Sequence, residues 1–340
     1  MRAIGLYSYL PIEDPQRLID LEIATPVPDA RQLLVQVKAI AVNPVDVKVR
    51  ALKAQTETTP RILGWDVAGI VEAVGPDCTL FKPGDAVYYA GDWIHPGANS
   101  EFHLVDERIV GRKPTRLDFA EAAALPLTTI TAWEALFERL LIAQQADKNR
   151  GKSILIINAA GGVGSIATQL AHWAGLRVIG TASHTASSQW VKEHGAHDIV
   201  NHRQPLVAQL KQLGYTAVDY IVCLKNIAEH WEAMVELIAP QGKICLIDDI
   251  YSPLDLSVLH PKSVTVVREN VFTRPNFHTA DMLEQHHLLC RVAELIDANV
   301  IQTTVKERLS PITASNLRRA HAKVEQGNMI GKLVLEHFPS

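Results

Sequence analysis

The stretch Ser153-Ile154-Leu155-Ile156-Ile157-Asn158-Ala159-Ala160-Gly161-Gly162-Val163-Gly164-Ser165-Ile166-Ala167-Thr168-Gln169-Leu170-Ala171 decides how the rest of the chain reads. Its apolar, β-branched opening, Ile154 to Ile157, has the composition of a buried parallel strand. Small residues and three glycines follow, and then Ile166, Leu170 and Trp173 recur at helical spacing. Strand, tight turn and helix in that order gather backbone N–H groups at a helix N-terminus, which suits a pyrophosphate. Gly161 lets the backbone approach phosphates, and Gly164 lets the helix lie close to the strand; Ala160, Gly162 and Val163 complete the turn. Ala159 stands where the first glycine of the pattern belongs, giving A-x-G-x-x-G. Taken alone, the pattern is also met by a glycine turn that binds nothing.

About twenty residues further on, where a second parallel strand is expected, Arg177-Val178-Ile179-Gly180-Thr181 is followed by Ala182, Ser183 and His184. A dinucleotide with a free ribose 2′-hydroxyl usually meets Asp or Glu at such an exit. No carboxylate stands here. Ser183 can donate a hydrogen bond, and His184 can donate one and carry charge. These residues favour NADP over NAD. A loosely selective site is the other reading, because neither Arg nor Lys occupies the turn itself.

At 340 residues the chain is long enough for two domains. A net charge of −4 argues against nucleic acid or an anionic membrane as the main partner. No apolar run reaches the length of a membrane span, and Met1 to Leu6 reads as a first strand rather than a signal peptide. Cys78, Cys223, Cys245 and Cys290 are scattered without a C-x-x-C pair, which fits reduced thiols in the cytoplasm.

Gln32 to Val42 largely alternates and reads as a half-buried strand. Asn43-Pro44-Val45-Asp46 breaks it, and Val45 to Leu52 reads as a short helix carrying Lys48 and Arg50. Arg61 to Gly75 is strand-like and punctuated by glycine, and Phe81 to Tyr88 is a turn feeding a strand. Short strands at this density of proline and glycine suggest a compact β-barrel in roughly the first 125 residues. Phe119–Ala124 then reads as a helical turn stopped by Pro126, and Thr129–Ala143 as a helix with Trp133, Leu136, Phe137 and Leu140 on one face. Beyond the glycine turn, strands at Val178–Thr181, Ile199–Val200, Tyr220–Leu224, Lys243–Ile247 and Val264–Val267 alternate with helices such as His230–Ile238. That alternation gives a doubly wound parallel sheet, so the class is α/β. Helices at Asp281–Ala298 and Ala314–Gln326 and a strand at Ile330–Glu336 close the chain.

With these pieces in view, the chain resembles the medium-chain dehydrogenase/reductases along its whole length. It is similar to their quinone oxidoreductase branch and to the group often labelled zinc-type alcohol dehydrogenase-like. The resemblance is carried by Asn43-Pro44-Val45-Asp46, Leu63-Gly64-Trp65-Asp66-Val67-Ala68-Gly69, Lys82-Pro83-Gly84-Asp85, Ala122-Ala123-Ala124-Leu125-Pro126, Thr131-Ala132-Trp133-Glu134-Ala135-Leu136, Ala160-Gly161-Gly162-Val163-Gly164 and Gly331-Lys332-Leu333-Val334-Leu335. It implies a GroES-like β-barrel catalytic domain over 1–126, rejoined by 274–340, and a Rossmann NADP-binding domain over 127–273. It places Asn43, Asp46, Trp65 and Thr131 around the nicotinamide, with Asn43 and Thr131 hydrogen-bonding its carboxamide or ribose and Trp65 as an apolar wall. His184 and His202 flank the 2′-phosphate, and Ile247 joins Ala160 to Gly164 and Ser183 among the cofactor-binding residues. Protonated imidazoles there would strengthen the NADPH preference below about pH 7.

Zinc-dependent members carry a cysteine and a histidine where this chain has Asn43 and Trp65, and neither can replace a thiolate or an imidazole on the metal. His95 and His103 have no cysteine beside them and read as surface-loop residues. No catalytic or structural zinc is therefore expected. Hydride addition to a quinone or enone needs no Lewis acid, because the acceptor spreads charge onto its own oxygen. Related quinone reductases have a tyrosine where Lys48 stands, so Lys48 is either an oxyanion partner or proton donor, or a solvated helix residue. Asp46 is either part of the site or a helix N-cap, and Tyr89, Asp92 and Asn99 fall on a loop at the cleft rim. The expected activity is NADPH-dependent reduction of a small quinone or α,β-unsaturated carbonyl. A non-catalytic NADPH-binding protein and, more distantly, a zinc alcohol dehydrogenase are the alternatives. Val264-Thr265-Val266-Val267 as the last sheet strand suggests a homodimer with a sheet continuous across the two-fold.

Overall fold

The computed structural model describes every residue except Leu52 and Ser340. The chain divides into two compact units, Met1–Ile130 with Phe272–Ser340, and Thr131–Val271. The boundary read at Pro126 opens a helix, and the division comes inside that helix, between Ile130 and Thr131.

The first unit begins with β1 (Arg2–Ser8), β2 (Ile19–Glu22), β3 (Gln32–Ala41), α1 (Pro44–Arg50), β4 (Thr56–Ile62), β5 (Val67–Val74), β6 (Ala86–Tyr89), β7 (Phe102–Asp106), β8 (Val110–Arg112), α2 (Phe119–Ala123) and α3 (Pro126–Trp133). Helix α1 stops at Arg50; Leu52, taken as its end from the sequence, lies outside the described residues. β3 is the spine of the larger sheet, pairing antiparallel with β5 and with β7. Its middle, Val35 to Lys38, alternates, but Leu33 to Val35 and Ala39 to Ala41 are buried throughout because the strand is covered on both faces. Gly69 permits the close crossing with β5, since a Cβ there would lie 2.3 Å from the Gln36 carbonyl oxygen. The strand-like stretch from Arg61 to Gly75, punctuated by glycine, holds the end of β4 and all of β5, with a break between them. Gly64 takes φ +110° with the Asn99 side chain against its Cα, which turns Trp65 and Asp66 into the core.

The second unit holds β9 (Ser153–Ile157), α4 (Gly162–Trp173), β10 (Arg177–Thr181), α5 (Thr185–Glu193), β11 (Asp198–Val200), α6 (Leu206–Gln212), β12 (Val218–Cys223), α7 (Ile227–Leu237), β13 (Ile238–Leu246) and β14 (Thr265–Arg268). All six strands are parallel in the order β11-β10-β9-β12-β13-β14. The first strand is therefore central and the winding reverses between β9 and β12, where such sheets bind ligands at their carboxyl ends. Leu155, Ile157, Ile179, Ile221, Trp231 and Met234 belong to the core on one face of the sheet.

The helix read as Thr129–Ala143 differs in the structure. Pro126 starts it rather than stopping the one before, as a residue without an N–H can at the first helical position. From Glu134 to Arg139 the helix widens into a π turn, with the Leu140 N–H on the Ala135 carbonyl at 3.0 Å. It ends as Leu141 takes φ +56°. Trp133 and Phe137 still pack edge to face, 4.7 Å apart.

The chain rejoins the first unit with α8 (Thr273–Phe277), α9 (Glu284–Asp297), β15 (Val305–Leu309), α10 (Ala314–Glu325) and β16 (Lys332–Glu336). β16 pairs with β3, so the last strand lies beside the spine of the sheet. Among the described residues the four cysteines are free thiols, and no helix is long and apolar enough to cross a membrane. Burial pushes the Cys223 and Cys245 thiols up to about 12.

Candidate functional site

In the second unit the site is built at the carboxyl ends of β9, β10, β11 and β13. β9 runs into Asn158, which takes φ +70°, a left-handed conformation asparagine tolerates. Its N–H is held by the Thr181 hydroxyl oxygen at 2.8 Å. The two pattern glycines then play different parts. A Cβ on Gly164 would lie 2.5 Å from the Asn158 carbonyl oxygen, so the packing of helix on strand demands glycine. Gly161 caps α4 at φ −73°, and a Cβ there would meet no atom closer than 3.4 Å. The fold does not need glycine at 161. What its missing side chain leaves is a cradle in front of the first N–H groups of α4, which have no carbonyl to bond within the helix. Ala160, Gly162 and Val163 belong to this turn and the first helical turn, and they fit a bound pyrophosphate.

At the exit of β10, Ser183 is half-buried and His184 is exposed as the N-cap of α5. His202 lies half-buried beyond β11 with its Nδ1 3.1 Å from the Thr181 hydroxyl. That hydroxyl is buried and also accepts the Asn158 N–H, so it ties the His202 ring to the start of the glycine turn. Burial, then His230 and Arg203, hold His202 below the usual histidine value. This ring therefore gains charge at a lower pH than a free imidazole does. Arg203 is the basic group that the sequence reading missed. It follows β11 rather than β10, and only the sheet order brings those two exits together. Ile247 is half-buried just past β13, with its N–H on the Cys223 carbonyl at 3.1 Å, and Thr131 is buried in α3.

In the first unit, Asn43 and not Asp46 is the N-cap of α1. Asp46 is the third helical residue, and its carboxylate accepts the Asn43 backbone N–H at 2.7 Å. Burial pushes the Asp46 carboxyl up to about 7, against the pull of that N–H and of Lys332. The Asn43 amide was expected to reach the nicotinamide. It is buried instead, its Nδ2 donating to Asp66 at 2.8 Å and its Oδ1 accepting from Lys332. Lys332 also donates to the Asp66 carboxylate at 2.8 Å and to the Val42 carbonyl at 3.1 Å, and the Leu127 N–H reaches the other Asp66 oxygen at 2.8 Å. Burial pushes the Asp66 carboxyl upward, but Lys332, Leu127 and Asn43 oppose it, and three donors on two oxygens are what an ionised carboxylate requires.

Trp65 is buried, with its Nε1 donating to the Asp92 carbonyl at 2.7 Å and Phe272 edge-on at 6.1 Å. Lys48 is exposed on α1. Two residues expected on a rim are instead core. Tyr89 is fully buried and bonds His103 at 3.0 Å, and Asn99 packs on Gly64. His103 is also buried, not a surface residue, and burial lowers it to about 4. A cavity of about 710 Å³ elsewhere on this unit includes Asp92, His95 and His103 but none of Asn43, Asp46, Lys48 or Trp65.

Residues 29–115 match the alcohol dehydrogenase GroES-like domain, and 162–284 the zinc-binding dehydrogenase domain. A zinc-type alcohol dehydrogenase-like protein of Staphylococcus aureus is 42% identical over 98% of this chain and 99% of its own length. The chain belongs to the medium-chain dehydrogenase/reductase superfamily. It is an oxidoreductase of that superfamily, and a Pongo abelii quinone oxidoreductase is 34% identical to it over 65% of each chain. A crystal structure of a Rhizobium etli protein named for zinc-dependent alcohol dehydrogenase superposes with TM-score 0.95 at 49% identity, covering 100% of this chain and 99% of that one. Escherichia coli quinone oxidoreductase complexed with NADPH superposes with TM-score 0.83 at 26% identity, covering 99% of this chain and 100% of that one. At the two positions where zinc-dependent members carry a cysteine and a histidine, this chain presents an amide bound to a lysine and an indole bound to a carbonyl, and neither is a zinc ligand.

Two outcomes follow from this geometry. Gly161→Ala should fold normally, with Tm within about 2 °C of wild type, yet lose dinucleotide affinity by calorimetry; Gly164→Ala should lose about 1–3 kcal/mol of stability. Lys332→Met should cost about 3–5 kcal/mol in denaturant unfolding, because it strands a buried carboxylate. Part of that loss should return at acidic pH, where the folded state binds the extra proton.

Proposed function

We propose that the protein is an NADPH-dependent oxidoreductase that delivers a hydride to a quinone or an α,β-unsaturated carbonyl without zinc. The observation that carries this reading is the fate of Asn43 and Trp65. One is locked to Lys332 and Asp66, the other to the Asp92 carbonyl and edge-on against Phe272. A simple ketone or aldehyde would place a full alkoxide charge on one oxygen, which calls for a Lewis acid. A quinone or enone spreads the charge and needs only positioning and a proton.

NADPH supplies the hydride when bound. The α4 cradle, Ala160 to Gly164, receives the pyrophosphate, and Ser183, His184, His202 and Arg203 face the 2′-phosphate. Ile247 and Thr131 belong to the same cofactor set. The relative complexed with NADPH supports this choice of cofactor. Asp46 and Lys332 fix the turn at Asn43, from which α1 carries Lys48. Lys48 is the proton donor or oxyanion partner we propose for the acceptor. The free thiols fit a reducing compartment, and a cytoplasmic location is proposed on that ground.

The test is one assay of purified protein with NADPH or NADH, quinones, enones, ketones and alcohols, with and without chelator. Quinones or enones should be reduced with NADPH, indifferent to chelator, and Lys48→Met should slow turnover at least about 100-fold. Arg203→Glu should weaken NADPH about 10-fold against NADH. Chelator-sensitive alcohol oxidation with one zinc per chain would falsify the assignment.

β14 ends the sheet, with Thr265 and Arg268 exposed, and we propose that it pairs with its two-fold mate in a homodimer. Light scattering at micromolar concentration should give twice the chain mass, and Val266→Pro should yield monomers.

A further inference from the structure

Trp93 sits between β6 and β7 with 45% of its surface exposed, so it forgoes much of the stabilisation that burying an indole brings. It is nevertheless held. One face of its ring stacks on Phe272, with centroids 6.0 Å apart and planes 30° from parallel. Phe272 is buried and rests in turn against Trp65. The backbone on either side is pinned. The Trp93 N–H reaches Asn276 Oδ1 at 3.4 Å, and the Asp92 carbonyl accepts the Trp65 indole N–H. The Asp92 carboxylate takes the Ile94 and His95 N–H groups at 3.0 and 2.9 Å. The result is a three-ring cluster, edge-on between Trp65 and Phe272 and stacked between Phe272 and Trp93, that starts at Trp65, which the resemblance places by the nicotinamide, and ends in a half-exposed indole. Ile94, next to Trp93 in sequence, and Phe277, next to Asn276, are also exposed.

We propose that the outer face of Trp93 is a stacking platform that selects flat, fused-ring, electron-poor acceptors, of the naphthoquinone class, over small or puckered ones. The inference rests on the reading of the protein as a quinone or enone reductase. An indole face is electron-rich and a quinone ring electron-poor, so face-to-face contact is favoured. A platform fixed before the ligand arrives loses little freedom on binding. Area sets the selectivity: a fused bicyclic ring covers the indole, whereas the puckered ring of cyclohexenone cannot lie flat on it.

The experiment compares wild type, Trp93→Ala and Trp93→Phe with NADPH and either 1,4-naphthoquinone or 2-cyclohexenone, and measures 1,4-naphthoquinone binding by calorimetry. Trp93→Ala should lower the naphthoquinone-to-cyclohexenone ratio of kcat/KM about 10-fold, through KM, as expected for losing one stacking contact. Trp93→Phe should restore most of it. An unchanged ratio, or equal losses on both acceptors, overturns the platform while leaving the reductase assignment standing. If neither acceptor is turned over, that assignment fails, and calorimetry decides the platform alone. About 10-fold weaker naphthoquinone binding by Trp93→Ala supports it, and equal binding overturns it.

Discussion

A lysine ammonium in a dry interior has to be given acceptors, and Lys332 is given three: the Asp66 carboxylate, the Asn43 amide oxygen and the Val42 carbonyl. Much of the first unit is tied together there. Lys332 opens the last strand, Asn43 caps α1, Asp66 precedes β5, and Leu127 lies in the first turn of α3. Four segments far apart in the chain meet at two charges. Hydrophobic packing alone would tolerate a slip in their relative placement. A buried ion pair with donors and acceptors matched does not, because any slip leaves a charge uncompensated.

That cluster also explains what kind of site the first unit offers. With Asn43 and Asp66 bound inward, the polarity of the α1 turn is spent on holding shape, while Lys48 on its outer surface faces solvent. The second unit divides its labour in a similar way. Gly164 serves the fold, and Gly161 leaves room. In both units the structural and the functional residues are neighbours in sequence, which is why substitutions a few positions apart should behave so differently.

How much of this the sequence disclosed depended on how local the physics was. Strands such as Ile154 to Ile157 and Ile221 to Cys223 announce themselves because a strand covered on both faces must be apolar throughout. The glycine turn was legible because strand, turn and helix are contiguous. The role of Asn43 was not legible, since its decisive partner lies 289 residues away. Arg203 was missed because its relation to Ser183 and His184 exists only in the order of the sheet. Pro126 was read as a stop because proline before a helix and proline after one look alike until the helix direction is known. The π turn at Glu134–Arg139 left no mark either: an extra residue in one turn keeps Trp133 and Phe137 in contact. Tyr89 and Asn99 are polar residues in a loop-rich stretch, and nothing near them in sequence reveals that His103 and Gly64 enclose them.

The distance between Asp66 and Lys332 has a consequence for the order in which the molecule is made. A chain leaving the ribosome exposes Asp66 long before its counter-charge, which follows 266 residues later. The second unit, 131–271, is complete in the meantime and can fold as a piece. Burying Asp66 before its counter-charge is made would require it to take up a proton, which it would release when Lys332 arrives. The charge pair at the centre of the first unit thus forms only after the whole of the second unit has been made.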